Sequence, residues 1–317
     1  MRLASYVWRE KEQVGIVVGE WVYSLSVRDP QLRDVGALLE RGEEVLLQAR
    51  RLEMAIREGE RGVPHEAMAP LSEVRLLPPV RRPEKIICLG LNYRDHAREA
   101  GMPIPAEPVF FAKYANTLAG PYDPILRPLA VEQLDYEVEL AVVIGREGKY
   151  LSEAEALAYV AGYMVLNDVS ARDFQFRTGQ WTHGKTFDGF APCGPFLVTA
   201  DEVPDPHGLR LRLWVNGELR QDSHTGEMIF SIPYLIHYFS QLFTLRPGDI
   251  LSTGTPPGVG MARRPPAFLK DGDEVVAWIE GIGQLCNRVV METLTQDGPP
   301  PCDARIDAEH LDLSKDH

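Results

Sequence analysis

The feature that most constrains this chain is the run Leu134-Asp135-Tyr136-Glu137-Val138-Glu139-Leu140-Ala141-Val142-Val143-Ile144, closed by Gly145. Two carboxylates interrupt an otherwise apolar, largely β-branched segment that reads as a buried strand. Alternate residues of a strand share a face, which puts Glu137 and Glu139 on one side, about 7 Å apart. Burying like charges this close is costly unless a cation joins them or one takes up a proton, so a metal site is the least costly explanation. The competing explanation is a solvated sheet edge. After a helical stretch opened by the capping box Ser152-Glu153-Ala154-Glu155, the chain returns as Tyr163-Met164-Val165-Leu166-Asn167-Asp168, a second apolar run ending in a third acid. Three carboxylates without histidine or cysteine suit hard cations, so Mg²⁺, Mn²⁺ or Ca²⁺ is expected ahead of Zn²⁺.

Around this centre, 317 residues suffice for one large domain with an appendage or for two domains. Residues 1–77 read as a small N-terminal module, with short strands around 4–8, 14–18 and 21–25 followed by a helical stretch over 35–58. Residues 78–84 read as a linker, because Pro78, Pro79 and Pro83 suit neither helix nor sheet interior. A catalytic domain over 85–295 and a poorly ordered acidic tail over 296–317 complete the division. A net charge of −13 argues against nucleic acid or an anionic membrane as partner, and no apolar run is long enough to span a bilayer. The N-terminus does not read as a secretory signal peptide, which gives a cytoplasmic expectation. Cys88, Cys193, Cys286 and Cys302 form no CxxC pair and are expected to be free thiols.

Several further residues carry chemistry. Asn92 is a natural N-cap for a short helix reaching Ala100, on which His96 and Glu99 meet at i and i+3. On spacing alone this is a surface ion pair. The same arrangement can orient an imidazole and raise its basicity, but spacing favours the ion pair. Lys113 ends a strand and reads as a surface charge or a partner for a carboxylate ligand, while Arg172 most simply neutralises nearby acids. Gly179-Gln180-Trp181-Thr182-His183-Gly184-Lys185-Thr186 matches the phosphate-loop pattern letter for letter. It lacks the strand before and the helix after that the pattern needs, and is rejected as a nucleotide loop. Asn216-Gly217 is the strongest hairpin signal, and the segment from Thr253 to Gly260 is a glycine- and proline-rich loop.

Five motifs in order resemble the fumarylacetoacetate hydrolase superfamily, over about Lys85 to Val290. They are Gly90-Leu91-Asn92-Tyr93-Arg94-Asp95-His96, Asp135-Tyr136-Glu137-Val138-Glu139-Leu140, the stretch from Asn167 to Asp173, Gly184-Lys185-Thr186-Phe187-Asp188, and the Thr253–Gly260 loop. The resemblance implies an α+β, mainly β fold: a sandwich-like β-roll with short helices, preceded here by the small N-terminal α/β module. It implies a homodimer and Mg²⁺ or Mn²⁺ held by Glu137, Glu139 and Asp168. It further implies a His96–Glu99 dyad on a lid helix, with Lys185 and Gln175 facing the substrate. Tyr93, Lys113, Arg172 and Thr255 are the remaining candidate substrate contacts. Acylpyruvase-like members often carry arginine where this chain has Leu91, so one carboxylate-recognising cation is absent. The expected substrate is a small 2-oxo acid and the expected activity C–C bond hydrolysis of a 2,4-dioxo acid of the acylpyruvate or fumarylacetoacetate type. The alternatives are a decarboxylase, tautomerase or isomerase of an oxaloacetate-like acid and, from another class, a non-catalytic metal-binding protein.

Overall fold

A computed structural model of the chain describes residues 1–27, 29–58, 67–99 and 101–293. The expected tail over 296–317 lies outside the described residues.

The fold is mainly β. A mixed sheet of twelve strands is centred on Val138–Ile144, which pairs antiparallel with Val160–Asn167 on one side and with Ile250–Ser252 on the other. A second sheet of five strands contains the hairpin Arg210–Val215/Glu218–His224. Its turn residues Asn216 and Gly217 both adopt positive φ, at 51° and 76°, as a two-residue turn between twisted strands requires.

Side-chain parity along Val138–Ile144 sets the layers. Val138, Leu140, Val142 and Ile144 join an apolar cluster with Leu211, Leu213, Ala277 and Leu285 of the five-stranded sheet. Ala141 and Val143 face the other way, into a cluster with Val35, Leu38, Leu39 and Ala49 from the helices Val35–Glu40 and Glu43–Arg57. All seven residues of the strand are therefore buried, which explains its nearly continuous apolar run. Each buried Val or Leu side chain contributes about 1.5–3 kcal/mol. A slip of one residue would turn Glu139 into the sheet–sheet core, so the register that delivers this carboxylate to its site is strongly specified.

Two expected elements are divided. The helix expected over 35–58 is two helices, broken at Gly42, whose φ of 84° no helix accommodates. The strand expected over 134–144 is also two pieces. Leu134–Asp135 pairs with Ser170–Ala171, and the next strand starts only at Val138. Side chains interrupt the ladder between them: Glu137 donates its N–H to Asn167 Oδ1 and Val138 to Gln221 Oε1, each at 3.0 Å.

The N-terminal strands extend the same twelve-stranded sheet, since Arg2–Trp8 lies antiparallel to Ala191–Thr199. Within the proline-rich segment, the carbonyl of Pro79 accepts from Ser5 Oγ at 2.6 Å and from the N–H of Val35 at 3.1 Å.

Candidate active site

The site is assembled at the start of the central strand. Glu137 precedes it, Glu139 is its second residue, and Asp168 follows the antiparallel neighbour Val160–Asn167. Because Val138 is paired with Asn167, the acids of both strands emerge together. Glu137, Glu139 and Asp168 each offer an oxygen within 4.8 Å of the others, and all three are buried.

Buried cations hold two of the three. Lys185 Nζ donates to Glu137 Oε2 at 2.8 Å and to Asp168 Oδ2 at 2.9 Å. Arg172 contacts Glu137 Oε1 at 2.6 Å and donates to Asp135 Oδ2 at 2.9 Å. Burial alone would raise the pKa of Glu137, but Lys185 and Arg172 outweigh it and hold the carboxyl down at about 2. Burial works against a charged Lys185 as well, and the carboxylates of Asp168 and Glu137 prevail and raise its pKa. Lys113 Nζ lies 2.7 Å from Asp168 Oδ1, yet its hydrogen bonds go to the carbonyls of Val169, Lys185 and Phe190.

Glu139 differs from its neighbours. Ser252 Oγ at 2.5 Å and the N–H of Gly254 at 3.0 Å both serve Oε2, and among the described residues no cation forms an ion pair with the group. Burial, reinforced by the charges of Asp168 and Glu137, pushes its pKa well above the usual carboxylate range. Four buried acids, Asp135 included, face three buried cations, so one negative charge is uncompensated. Glu139 Oε1 and Asp168 Oδ1 are buried oxygens without a hydrogen bond. Asp168 Oδ1 has the Lys113 ammonium beside it, so Glu139 Oε1 is the oxygen left without a partner. An orphaned carboxylate oxygen in a cluster one positive charge short is what a hard divalent cation fits, and the all-oxygen donor set agrees with it.

The helix Arg94–Glu99 carries the dyad. His96 Nδ1 lies 3.1 Å from Glu99 Oε2, and the same carboxylate accepts the N–H of Gly258 at 3.0 and 3.2 Å. With Nδ1–H directed at a carboxylate, Nε2 is the ring nitrogen left to act as base. Gly258 adopts a φ of 107°, and a Cβ there would meet the Arg220 carbonyl oxygen at 2.0 Å, so the loop that holds Glu99 tolerates only glycine at this point. The helix is pinned to the five-stranded sheet by Asp95 Oδ2, which accepts from Ser223 Oγ at 2.5 Å. Arg94 adds a hydrogen bond to the Met228 carbonyl at 2.6 Å. Asn92 does not cap this helix: its side chain bridges Phe230 and the Thr253 carbonyl.

His96 and Glu99 line a cavity of ≈ 380 Å³ together with Glu137 and Lys185. Arg172, Gln175 and Thr255 share its wall. Arg172 is committed to Asp135, Glu137 and, through Nη1 at 2.9 Å, Gln175 Oε1, so it braces the acids. Thr255 donates to the Val138 carbonyl at 2.9 Å and fixes the loop against the strand. Tyr93 and Lys113 are fully buried and do not form part of this wall.

Sequence reasoning left three contributors unassigned. Asp135 accepts from Gly260 and Met261 at 2.7 and 3.0 Å and ties the glycine-rich loop to Arg172. Ser252 and Gly254 hold Glu139. Gly254 belongs to the loop motif and Ser252 ends the strand just before it, and neither position says what the side chain or backbone grips. The segment Gly179–Thr186 contains a short turn, Trp181–Gly184, and its lysine is spent on Glu137 and Asp168. No stack of backbone amides for phosphate is built there.

A two-sheet roll with a buried carboxylate triad, one member of which shares a cavity with a His–Glu pair, defines a class. Residues 85–290 match the family model for the fumarylacetoacetate (FAA) hydrolase C-terminal domain, and the chain belongs to this family. Among curated relatives, it is 48% identical over 285 residues to the oxaloacetate tautomerase Fahd2a, mitochondrial, of Rattus norvegicus, covering 89% of this chain and 88% of the relative. Among solved structures, it resembles fumarylacetoacetate hydrolase from psychrophilic Exiguobacterium antarcticum with a TM-score of 0.78 and 36% identity, over 92% of this chain and 100% of that one. It also resembles maleylpyruvate hydrolase from Sphingobium sp. SYK-6 in complex with manganese(II) ion and pyruvate, with a TM-score of 0.75 and 32% identity, over the same shares.

These relatives correct two expectations. C–C bond hydrolysis is overturned as the leading activity, because the similar curated relative is named a tautomerase of oxaloacetate. The motifs behind the hydrolase expectation are those that generate an enolate, and cleavage, decarboxylation and enol–keto conversion share that species. The cytoplasmic expectation falls as well, since that relative is named as mitochondrial. Its premise, an N-terminus unlike a secretory signal, does not distinguish one intracellular compartment from another.

Proposed function

We propose that the chain interconverts the enol and keto forms of an oxaloacetate-like 2-oxo dicarboxylic acid, with Mg²⁺ or Mn²⁺ held by Glu137, Glu139 and Asp168. The observation that carries this reading is that His96, backed by Glu99, shares one cavity with Glu137 of the triad. Tautomerisation asks only for a proton to move between carbon and oxygen, which a single positioned base next to a charge-stabilising floor provides. The similarity to a named oxaloacetate tautomerase supports the same substrate class.

When bound, the cation supplies the positive charge that draws negative charge onto the substrate's C2 oxygen. The chain's own residues do the rest. His96 Nε2 carries the proton between the enol oxygen at C2 and C3, and Glu99 fixes the imidazole tautomer and stabilises the imidazolium that forms on the way. Gly258 keeps Glu99 aimed by its N–H. Lys185, already between Glu137 and Asp168, holds the floor at fixed geometry, so no reorganisation accompanies the movement of charge.

Stopped-flow measurement of enol-oxaloacetate decay tests the reading. The wild-type chain with Mg²⁺ should accelerate ketonisation, chelator should abolish the acceleration, and His96→Ala should lower kcat by about 10²–10⁴-fold with Mg²⁺ binding intact. Wild-type turnover by His96→Ala, or no metal-dependent acceleration at all, would sink it.

A further inference from the structure

The proposed substrate carries a carboxylate at each end, and the distal one needs a cation of its own if it enters the cavity. The cavity wall contains three permanently charged cations: Lys185, Arg172 and Arg264. Lys185 is spent on Glu137 and Asp168, and Arg172 on Asp135 and Glu137. Arg264 is exposed, and among the described residues it makes no ion pair; its one side-chain hydrogen bond is a long contact from Nη1 to the Arg263 carbonyl at 3.3 Å. Its neighbour Arg263 is paired with Glu218. Much of the rest of the wall is apolar, with Leu91, Met102, Phe176, Val259 and Met261. Among the described residues of the wall, no other lysine or arginine is free of a carboxylate partner.

The base from which Arg264 extends is fixed to the floor. Gly260 and Met261 donate to Asp135, the carboxylate that also holds Arg172. The Gly260 carbonyl accepts the N–H of Ala267 at 2.9 Å and that of Arg263 at 3.3 Å, closing the segment into a compact loop. A rigid base with a free guanidinium is suited to paired hydrogen bonding of a carboxylate.

We propose that Arg264 receives the distal carboxylate of the substrate and is the residue that selects 2-oxo dicarboxylic over 2-oxo monocarboxylic acids, in place of the cation absent at Leu91. This rests on the reading of the cavity as a 2-oxo acid site.

The test is calorimetry in Mg²⁺ with oxaloacetate and with 2-oxobutyrate, which has a methyl group where oxaloacetate has its distal carboxylate. Wild type should prefer oxaloacetate by roughly 10–100-fold, the range for a charge-assisted hydrogen bond. Arg264→Ala should erase that preference while leaving 2-oxobutyrate and Mg²⁺ affinities unchanged. Arg264→Lys should retain part of it, and Arg263→Ala all of it. A preference that survives Arg264→Ala, a wild type without preference, or an equal loss for both ligands overturns the assignment. Failure of the tautomerase reading looks different: wild type would keep the Arg264-dependent preference yet not accelerate ketonisation.

Discussion

Glu137 and Glu99 are carboxylates on the wall of the same cavity, held in opposite ways. The Glu137 side chain is 9% exposed and gripped by the ammonium of Lys185 and the guanidinium of Arg172. Glu99 is 26% exposed and held by one backbone N–H and one imidazole on a six-residue helix. A buried charge without a partner is too costly to persist, so Glu137 and Asp168 are held by charge pairing inside a packed sheet, while Glu139 is driven toward its neutral form. The helix needs only enough contact to present His96, and a piece this short persists through docking rather than through its own hydrogen bonds. The floor should therefore behave as part of the fold and the helix as a local unit with its own, lower stability.

The largest expected departure comes from breaking the floor. Lys185→Ala leaves Glu137 and Asp168 facing each other in a dry site and should cost about 3–5 kcal/mol of folding stability by urea titration. The sign with pH follows from Glu137, whose pKa falls from 4.5 to about 2 on folding. Its pairing stabilises the fold fully above the unfolded value and loses that contribution as pH drops toward 2, so the gap between wild type and variant should narrow over that range. An unchanged urea midpoint at neutral pH would make the floor no more essential than the helix.

A smaller effect sharpens the contrast within the floor. Glu139 is driven toward its neutral form in the metal-free protein, so Glu139→Gln should leave metal-free stability within about 0.5 kcal/mol, as a near-isosteric change does. The stabilisation given by Mg²⁺ at a hundred times its Kd, about 2.7 kcal/mol in wild type, should vanish. Differential scanning calorimetry with and without Mg²⁺ separates the two readouts. A retained metal-induced shift in Tm would remove Glu139 from the ligand set.

The smallest effect belongs to the helix. Ser223→Ala deletes the hydroxyl that anchors Asp95, a half-buried bond whose loss costs about 1 kcal/mol. Hydrogen exchange over Arg94–Glu99 should quicken several-fold, with global Tm and Mg²⁺ affinity unchanged. If exchange in Val138–Ile144 quickened equally, helix and floor would be one cooperative unit and the comparison would collapse.

Much of this was legible in the residues. Two acids in an apolar β-run, a third acid ending the next run, and a His–Glu pair at helical spacing named the components, and five ordered motifs named the family. The division of the 134–144 run was not legible, because side chains of Asn167 and Gln221, remote in sequence, take the backbone donors that would have continued the ladder. Nor could spacing distinguish Arg172 as a brace for Asp135 and Glu137 from Arg172 as a substrate contact. Hydrolysis was favoured over tautomerisation for a related reason: the shared motifs encode stabilisation of one enolate, and its fate depends on what else lines the cavity.

By itself the sequence determined the donor atoms, since carboxylates, an imidazole and lysines are fixed by residue type, and it determined the burial of the central strand, since a run so apolar has no stable place in water. Tertiary structure alone decided which charges are spent and which are free. Lys113, Lys185, Arg172 and Arg264 are equivalent cations in the chain, and only packing assigns three of them to buried acids and leaves the fourth exposed at the cavity wall. The physical reason is that the worth of a charge is set by its distance to other charges and by the water removed around it, and neither quantity exists until strands distant in sequence have paired.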